Sequence, residues 1–141
     1  MAVFSRRVTR LLGGRWLVAV VTGLVGLAGQ AQTPPPAPAG ASAQVSQGAE
    51  LYQKTCALCH GVAGRDATVF PRPIWGPGHD IGKFGHAKGL FEYVQLMMPF
   101  DDPTKLNDGQ KTAIVAYMLV RHGALVPATT LPIGGDLTAI K

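Results

Sequence analysis

Cysteine is scarce in this chain, with two copies among 141 residues, Cys56 and Cys59. A structural zinc site needs four ligands, and the lack of a second cysteine pair removes that reading. A disulfide between positions so close would close a trivial loop and stabilise little. No strand–helix–strand pattern surrounds the pair, so the context of a thioredoxin-like redox centre is missing. Acidic residues are absent before Glu50, whereas Arg6, Arg7, Arg10 and Arg15 crowd the first fifteen positions. The formal charge of +5 therefore belongs to the N-terminus: after residue 15, 9 basic residues face 8 acidic ones, leaving +1. No Lys/Arg-rich run interleaved with aromatics follows residue 15, so the high isoelectric point does not argue for nucleic-acid binding. The chain has no internal repeat.

The sequence opens on a three-part leader. Residues 1–15 are basic, Trp16 to Ala28 form a 13-residue apolar run, and small residues follow up to Gly29-Gln30-Ala31. That is the plan of a secretory signal peptide, and the run is shorter than the roughly 20 residues that span a bilayer comfortably. Residues 1–31 are thus expected to be a signal peptide, or an N-terminal anchor if uncleaved. Export of this kind implies the periplasm, with membrane contact only through an uncleaved leader. Residues 32–44 form a Pro/Ala-rich linker, whose prolines favour extended polyproline conformation and which has nothing to bury. The folded domain is expected over 45–125, with a C-terminal extension over 126–141.

The 18 glycines and 11 prolines cluster between short periodic runs. This predicts an all-α fold of three to four short helices joined by long loops. A first helix, about Ser46 to Cys59, carries Ala49, Tyr52, Gln53 and Cys56 on one side. A second, His86 to Met97, is apolar at Leu90, Tyr93, Val94 and Met97, which places Met97 on the buried face. The last opens on a capping-box-like pair, Asn107 and Gln110. It continues through Ala113, Ile114, Ala116, Tyr117 and Val120 and stops at Gly123. Such a domain has a small core, which a large rigid prosthetic group would help to stabilise.

Cys56-Ala-Leu-Cys59-His60 carries the chemistry. The C-x-x-C-H pattern attaches c-type haem. On one helical turn, two thiols three residues apart can meet the two vinyl groups of one porphyrin. The next residue then projects its imidazole at the iron. Cys56 and Cys59 are the expected thioether positions and His60 the proximal ligand. His60 should bind through Nε2 and donate its other ring proton to a backbone carbonyl. Met97, Met98, Met118, His79, His86 and His122 are candidates for the sixth position. Met97 and Met118 read as core residues, and His79 and His86 as solvated loop residues. Met98 falls where the helix must stop before Pro99, which frees its thioether from the helix line. It is the expected distal iron ligand.

Gly48-x-x-x-Tyr52-x-x-x-Cys56-x-x-Cys59-His60-Gly61, then Met98-Pro99, then a final helix, resembles class I c-type cytochromes over residues 45–123. The resemblance implies that the first and last helices cross closely, with Gly48 and Tyr117 at the crossing and Tyr52 beside them. The family often has a Pro-x-Leu stretch after the haem motif, whose proline carbonyl accepts from the proximal histidine. Here Phe70-Pro71-Arg72-Pro73 offers Pro71 or Pro73 and no clear leucine. Trp75 reads as a core residue, as a packing partner of the haem edge or as an N–H donor to a propionate. Tyr93-Val-x-x-x-Met98-Pro-Phe-x-x-Pro103-x-x-Leu106 is further similar to the small cytochrome subunits that serve periplasmic dehydrogenases. The tail past Gly123 resembles the extensions of those subunits.

The expected function is one-electron transfer by a single covalent haem c with His/Met ligation, in a carrier rather than an enzyme. Its partners would be a periplasmic dehydrogenase as donor and an oxidase or another cytochrome as acceptor. Lys83, Lys88 and Lys105 could ring the haem edge. A haem enzyme or gas sensor would need an open distal pocket, and no distal His/Arg pair marks one. An interaction subunit with a merely structural haem would be reduced too slowly to matter in turnover.

Overall fold

The computed structural model describes residues 36–141. The expected leader over 1–31 and the first linker residues lie outside the described residues. Four α-helices follow in order: α1 (Ala43–Thr55), α2 (Ala57–His60), α3 (Ala87–Met97) and α4 (Asp108–His122). Single 3-10 turns lie at Ile81–Phe84 and Pro103–Lys105. Among the described residues there is no strand, only one isolated antiparallel bridge between His86 and Ala139. The all-α architecture with long loops is therefore the one expected. No helix among the described residues is long and apolar enough to cross a membrane.

The first helix differs from expectation at both ends. It starts at Ala43, inside the expected linker, because the Ser42 hydroxyl accepts from the Val45 amide at 3.2 Å and caps it. It also does not run unbroken to Cys59. Cys56 (φ −112°, ψ −34°) interrupts it, and the short α2 carries the chain on to His60.

The crossing of α1 and α4 is as the sequence implied. A Cβ built on Gly48 would overlap the Ala113 carbonyl oxygen and lie 3.0 Å from Tyr117 Cβ, so only glycine lets the backbones approach this closely. Tyr52, Trp75 and Tyr117 gather beside the crossing. Tyr52 and Trp75 have ring centroids 5.1 Å apart, and Trp75 meets Tyr117 edge-on at 5.8 Å. Trp75 is thus a core residue at the domain's aromatic centre.

The two ends of α4 follow their sequence signals. Asn107 Oδ1 accepts from the Gln110 amide at 2.9 Å, Gln110 Oε1 accepts from the Asn107 amide at 3.0 Å, and Gly123 ends the helix at φ 89°. The burial of α4 exceeds its apolar stripe, since every residue from Lys111 to Leu119 is buried. The reason lies in the tail, which packs on the domain with Leu131 and Ile140 in the core. Gln44 on α1 exchanges two hydrogen bonds with the Leu131 backbone, at 2.9 and 2.8 Å. The Gly134 amide donates to Thr112 on α4, and the Ala87 and Lys88 amides of α3 donate to Thr138 and Asp136.

The α3 register also needs correction. Its buried face is Ala87, Leu90, Phe91 and Val94, whereas Met97 is 45% exposed. The buried face continues from Val94 to Met98, which packs on the core one helical turn further on, and Met97 beside it is left outward.

Candidate cofactor site

Cys56, Cys59 and His60 are brought together on one turn. The Cys59 and His60 amides both donate to the Cys56 carbonyl, at 3.1 and 2.9 Å. This holds the two side chains three residues apart on one strip of helix. Both thiols are free and half-buried. Burial pushes the Cys56 thiol above its usual pKa; the Thr55 hydroxyl, 3.4 Å from its sulfur, opposes that shift, and Cys59 adds to it. The position favours a neutral sulfur, and a thioether is one.

Gly61 closes the turn in the left-handed φ region, at 79°, where a Cβ would strike the Arg65 backbone. Its carbonyl accepts from the buried Tyr52 hydroxyl at 3.0 Å, and the Val62 carbonyl accepts from Gln53 at 3.2 Å. Two side chains of α1 thus hold the end of the motif that α1 leads into. Tyr52 in this role was missed in the sequence, where its i−4 spacing from Cys56 read only as helix packing.

The His60 ring meets Phe70 edge-on at 5.0 Å. Burial lowers its pKa, and Asp80 pulls the other way. The net shift is downward and favours the neutral imidazole, the form that ligates a metal. The expected carbonyl partner for its second nitrogen is not found, because Nδ1 is buried without a hydrogen bond. The loop beyond the motif is held instead by the Phe70 amide donating to the Cys59 carbonyl at 3.1 Å. The Pro73 carbonyl accepts from the Asp80 amide at 2.9 Å.

Met98 comes from a separate element. It caps α3 with an extended backbone (φ −130°, ψ 142°), and its amide donates to the Val94 carbonyl. The side chain is half-buried against the core, in contrast to exposed Met97. Met118 is buried within α4, as expected.

The remaining histidines are not simply solvated. His86 Nδ1 accepts from the Gly89 amide and caps α3, and His79 Nδ1 accepts from the Gly82 amide, each at 3.0 Å. His122 Nδ1 accepts from the Gly76 amide at 3.2 Å, leaving Nε2–H to donate to the Lys141 carbonyl at 2.8 Å. Of the lysines expected around a haem edge, Lys83 pairs with Asp80 at 2.7 Å and Lys105 with Asp101 at 3.8 Å, while Lys88 is exposed.

These residues fit a c-type haem. Two free thiols and an imidazole sit on one turn, and the imidazole keeps an unsatisfied buried nitrogen. Among the described residues no cluster of three or more His, Cys, Asp or Glu could hold a metal ion. The segments carrying these groups also leave Leu58, Val69, Leu96 and Phe100 in water, apolar surface of the kind a porphyrin covers.

A small helical domain whose first helix runs into a C-x-x-C-H turn has the fold and site of a c-type cytochrome. The chain belongs to the family described as cytochrome c oxidase, cbb3-type, subunit III, whose model matches residues 43–118, from the first residue of α1 into α4. As a cytochrome c domain it carries covalently bound haem c, with its iron, and transfers electrons. Among solved structures it is similar to the sulfane dehydrogenase SoxCD from Paracoccus pantotrophus, at 25% identity and a TM-score of 0.52, over 59% of this chain and 45% of that one. It is also similar to the thiosulfate dehydrogenase TsdBA from Marichromatium purpuratum, at 30% identity and a TM-score of 0.44, over 61% of this chain and 19% of that one. The chain thus spans less than half the length of either structure's matched chain. No curated protein sequence matches it.

Proposed function

We propose that this protein is a periplasmic one-electron carrier in which Cys56 and Cys59 form the thioethers, His60 is the proximal ligand and Met98 the distal one. It takes electrons from a dehydrogenase and passes them to a respiratory acceptor. The observation that carries the reading is the placement of His60 one residue past two free thiols on the same turn, with its Nδ1 buried and without a hydrogen-bond partner. Bound haem supplies a one-electron couple, and a thioether on its distal side raises the potential relative to a second imidazole. The chain's own contribution is to hold the ligands and exclude water. Tyr52 and Gln53 pin the backbone after His60, and the core cluster backs Met98. With the iron closed on both faces, partners exchange electrons through small contacts, typically under about 1,200 Å² of total buried surface.

The likeness to SoxCD supports a dehydrogenase as donor. The same reading assigns residues 1–31 to export and the stretch up to the Ser42 cap to a linker, with the cytochrome domain from Ala43 to 125 and its extension over 126–141.

An optical redox titration of the holo-cytochrome, repeated under CO, tests the function. A single reversible one-electron step that ignores CO is expected. Rapid CO binding to the ferrous form would mean an open distal site and turn the search to gas binding or peroxidase activity. Met98→Ala should lower the potential and leave the iron five-coordinate or water-ligated, while Met97→Ala leaves the spectrum almost unchanged. The reverse pattern would move the ligand to Met97. Cys59→Ser should leave at most one thioether, and full covalent haem in that variant would undo the assignment.

A further inference from the structure

We infer that Lys111 is a positioning residue for the distal ligand: its ammonium fastens both ends of the segment that carries Met98. The inference rests on the reading of Met98 as that ligand. Lys111 sits on α4 at 2% exposure, the buried charged side chain among the described residues. A buried ammonium is costly unless its protons are taken up. Among the described residues it forms no ion pair; Nζ instead donates to the Gln95 carbonyl at 2.7 Å and the Pro103 carbonyl at 2.6 Å.

The sequence explains why these carbonyls need it. In α3 the Gln95 carbonyl would accept from the amide four residues on, as the Val94 carbonyl accepts from Met98. Four residues on is Pro99, which has no N–H. The last turn of α3 is therefore one donor short directly beside Met98, and Lys111 supplies that donor from another helix. Its second bond, to Pro103, holds the far end of the same segment. Between the two clamped points run Met98, Pro99 and exposed Phe100, followed by a turn closed by the Asp102 amide on the Pro99 carbonyl. A methionine at position 111 would fill the same space without desolvating a charge. The lysine is explained by what its ammonium holds.

The test uses the full holo-cytochrome in its ferric state and titrates it with imidazole, which competes for the distal position. Removing the clamp raises the fraction of molecules with the thioether off the iron, and apparent imidazole affinity rises in proportion. Lys111→Met should bind imidazole at least tenfold more tightly, equivalent to about 1.4 kcal/mol. It should also weaken the sulfur-to-iron charge-transfer band. Leu131→Ala, which creates a cavity in the tail beside α1, serves as the stability control. It should lower the melting temperature while changing imidazole affinity less than twofold.

Unchanged affinity in Lys111→Met, or an equal gain in Leu131→Ala, overturns the inference. Retention of the charge-transfer band in Met98→Ala would instead show that the ligand reading itself is wrong. If Lys111→Met does not accumulate as folded holo-protein, ¹⁵N-lysine NMR on the wild-type chain decides. The Lys111 ammonium protons should exchange slowly and speed up at least tenfold when imidazole binds; equal protection in both states refutes the coupling.

Discussion

The close backbone approach at Gly48 gives a sharp stability test. Replacing Gly48 with alanine adds one methyl group where α1 meets α4. The new Cβ would sit 2.5 Å from the Ala113 carbonyl carbon and 3.0 Å from Tyr117 Cβ, with the Ala113 oxygen nearer still. Comfortable carbon contacts begin near 3.5 Å, so the helices must part by about 1 Å. No side chain can rotate away, because the obstacle is backbone, and the Ala113 carbonyl is bound within its own helix. Parting the helices also loosens the packing of Ala49, Tyr52 and Tyr117, and gaps of that size forfeit a quarter to a half of each contact. Overpacking of this type costs about 3 kcal/mol at the upper end of its usual range, and alanine's better helix propensity returns about 1 kcal/mol. The expected net loss is ~2 kcal/mol. For a domain of this size that is roughly 8 °C or more in melting temperature, read by the circular dichroism of the holo-protein. A variant that melts within 2 °C of wild type would show that the helices do not cross here.

Three further changes probe single interactions. Tyr52→Phe keeps the ring against Trp75 and Tyr117 and removes only the bond to the Gly61 carbonyl, so it should cost ~1 kcal/mol by urea unfolding; no loss would mean that this bond does not hold the motif. Asn107→Ala removes the α4 cap and should cost ~1 kcal/mol in the same assay, whereas Asn107→Ser should cost little. Burial lowers the His79 pKa, the His122 ring 4.0 Å away lowers it further, and Asp80 opposes both. The unfolded chain then binds the proton more readily than the folded one. The stability contribution is therefore complete above the unfolded value near 6.5 and is lost as pH falls below it. His79→Gln should flatten the fall in melting temperature between pH 7 and 5, and parallel profiles would refute the argument.

The C-x-x-C-H turn was legible in the sequence because covalent attachment dictates its spacing, whatever surrounds it. The ends of α4 were legible because capping chemistry is local. The errors arose where a side chain's role depends on distant chain. Met97 matches the apolar period of α3 yet is 45% exposed, because the buried face passes from Val94 to Met98, while Phe91, off that reading, is buried. Lys111 and Thr112 look like the polar face of α4 until the tail and the Pro103 turn close over them. His79 and His86 cap turns through Nδ1, a use of histidine outside the usual capping residues, so no sequence signal announced it.

The segments that carry His60 and Met98, the iron ligands of the proposed reading, are built on different principles, and this bears on how such a carrier is tuned. His60 follows two cysteines on a helical turn whose neighbours, Tyr52 and Gln53, belong to the helix leading into it. The proximal side is held mainly by residues close in sequence, and the thioethers of the proposed reading would anchor it further. Met98 has no such local framework: Pro99 removes the helical donor beside it, and the missing bond comes from Lys111, a dozen residues away on α4. A loop fastened by one remote ammonium can be loosened by one substitution without disturbing the motif on the other side. Ligand exchange should therefore begin at Met98, and variants of Lys111 should move the distal equilibrium while leaving covalent haem attachment intact.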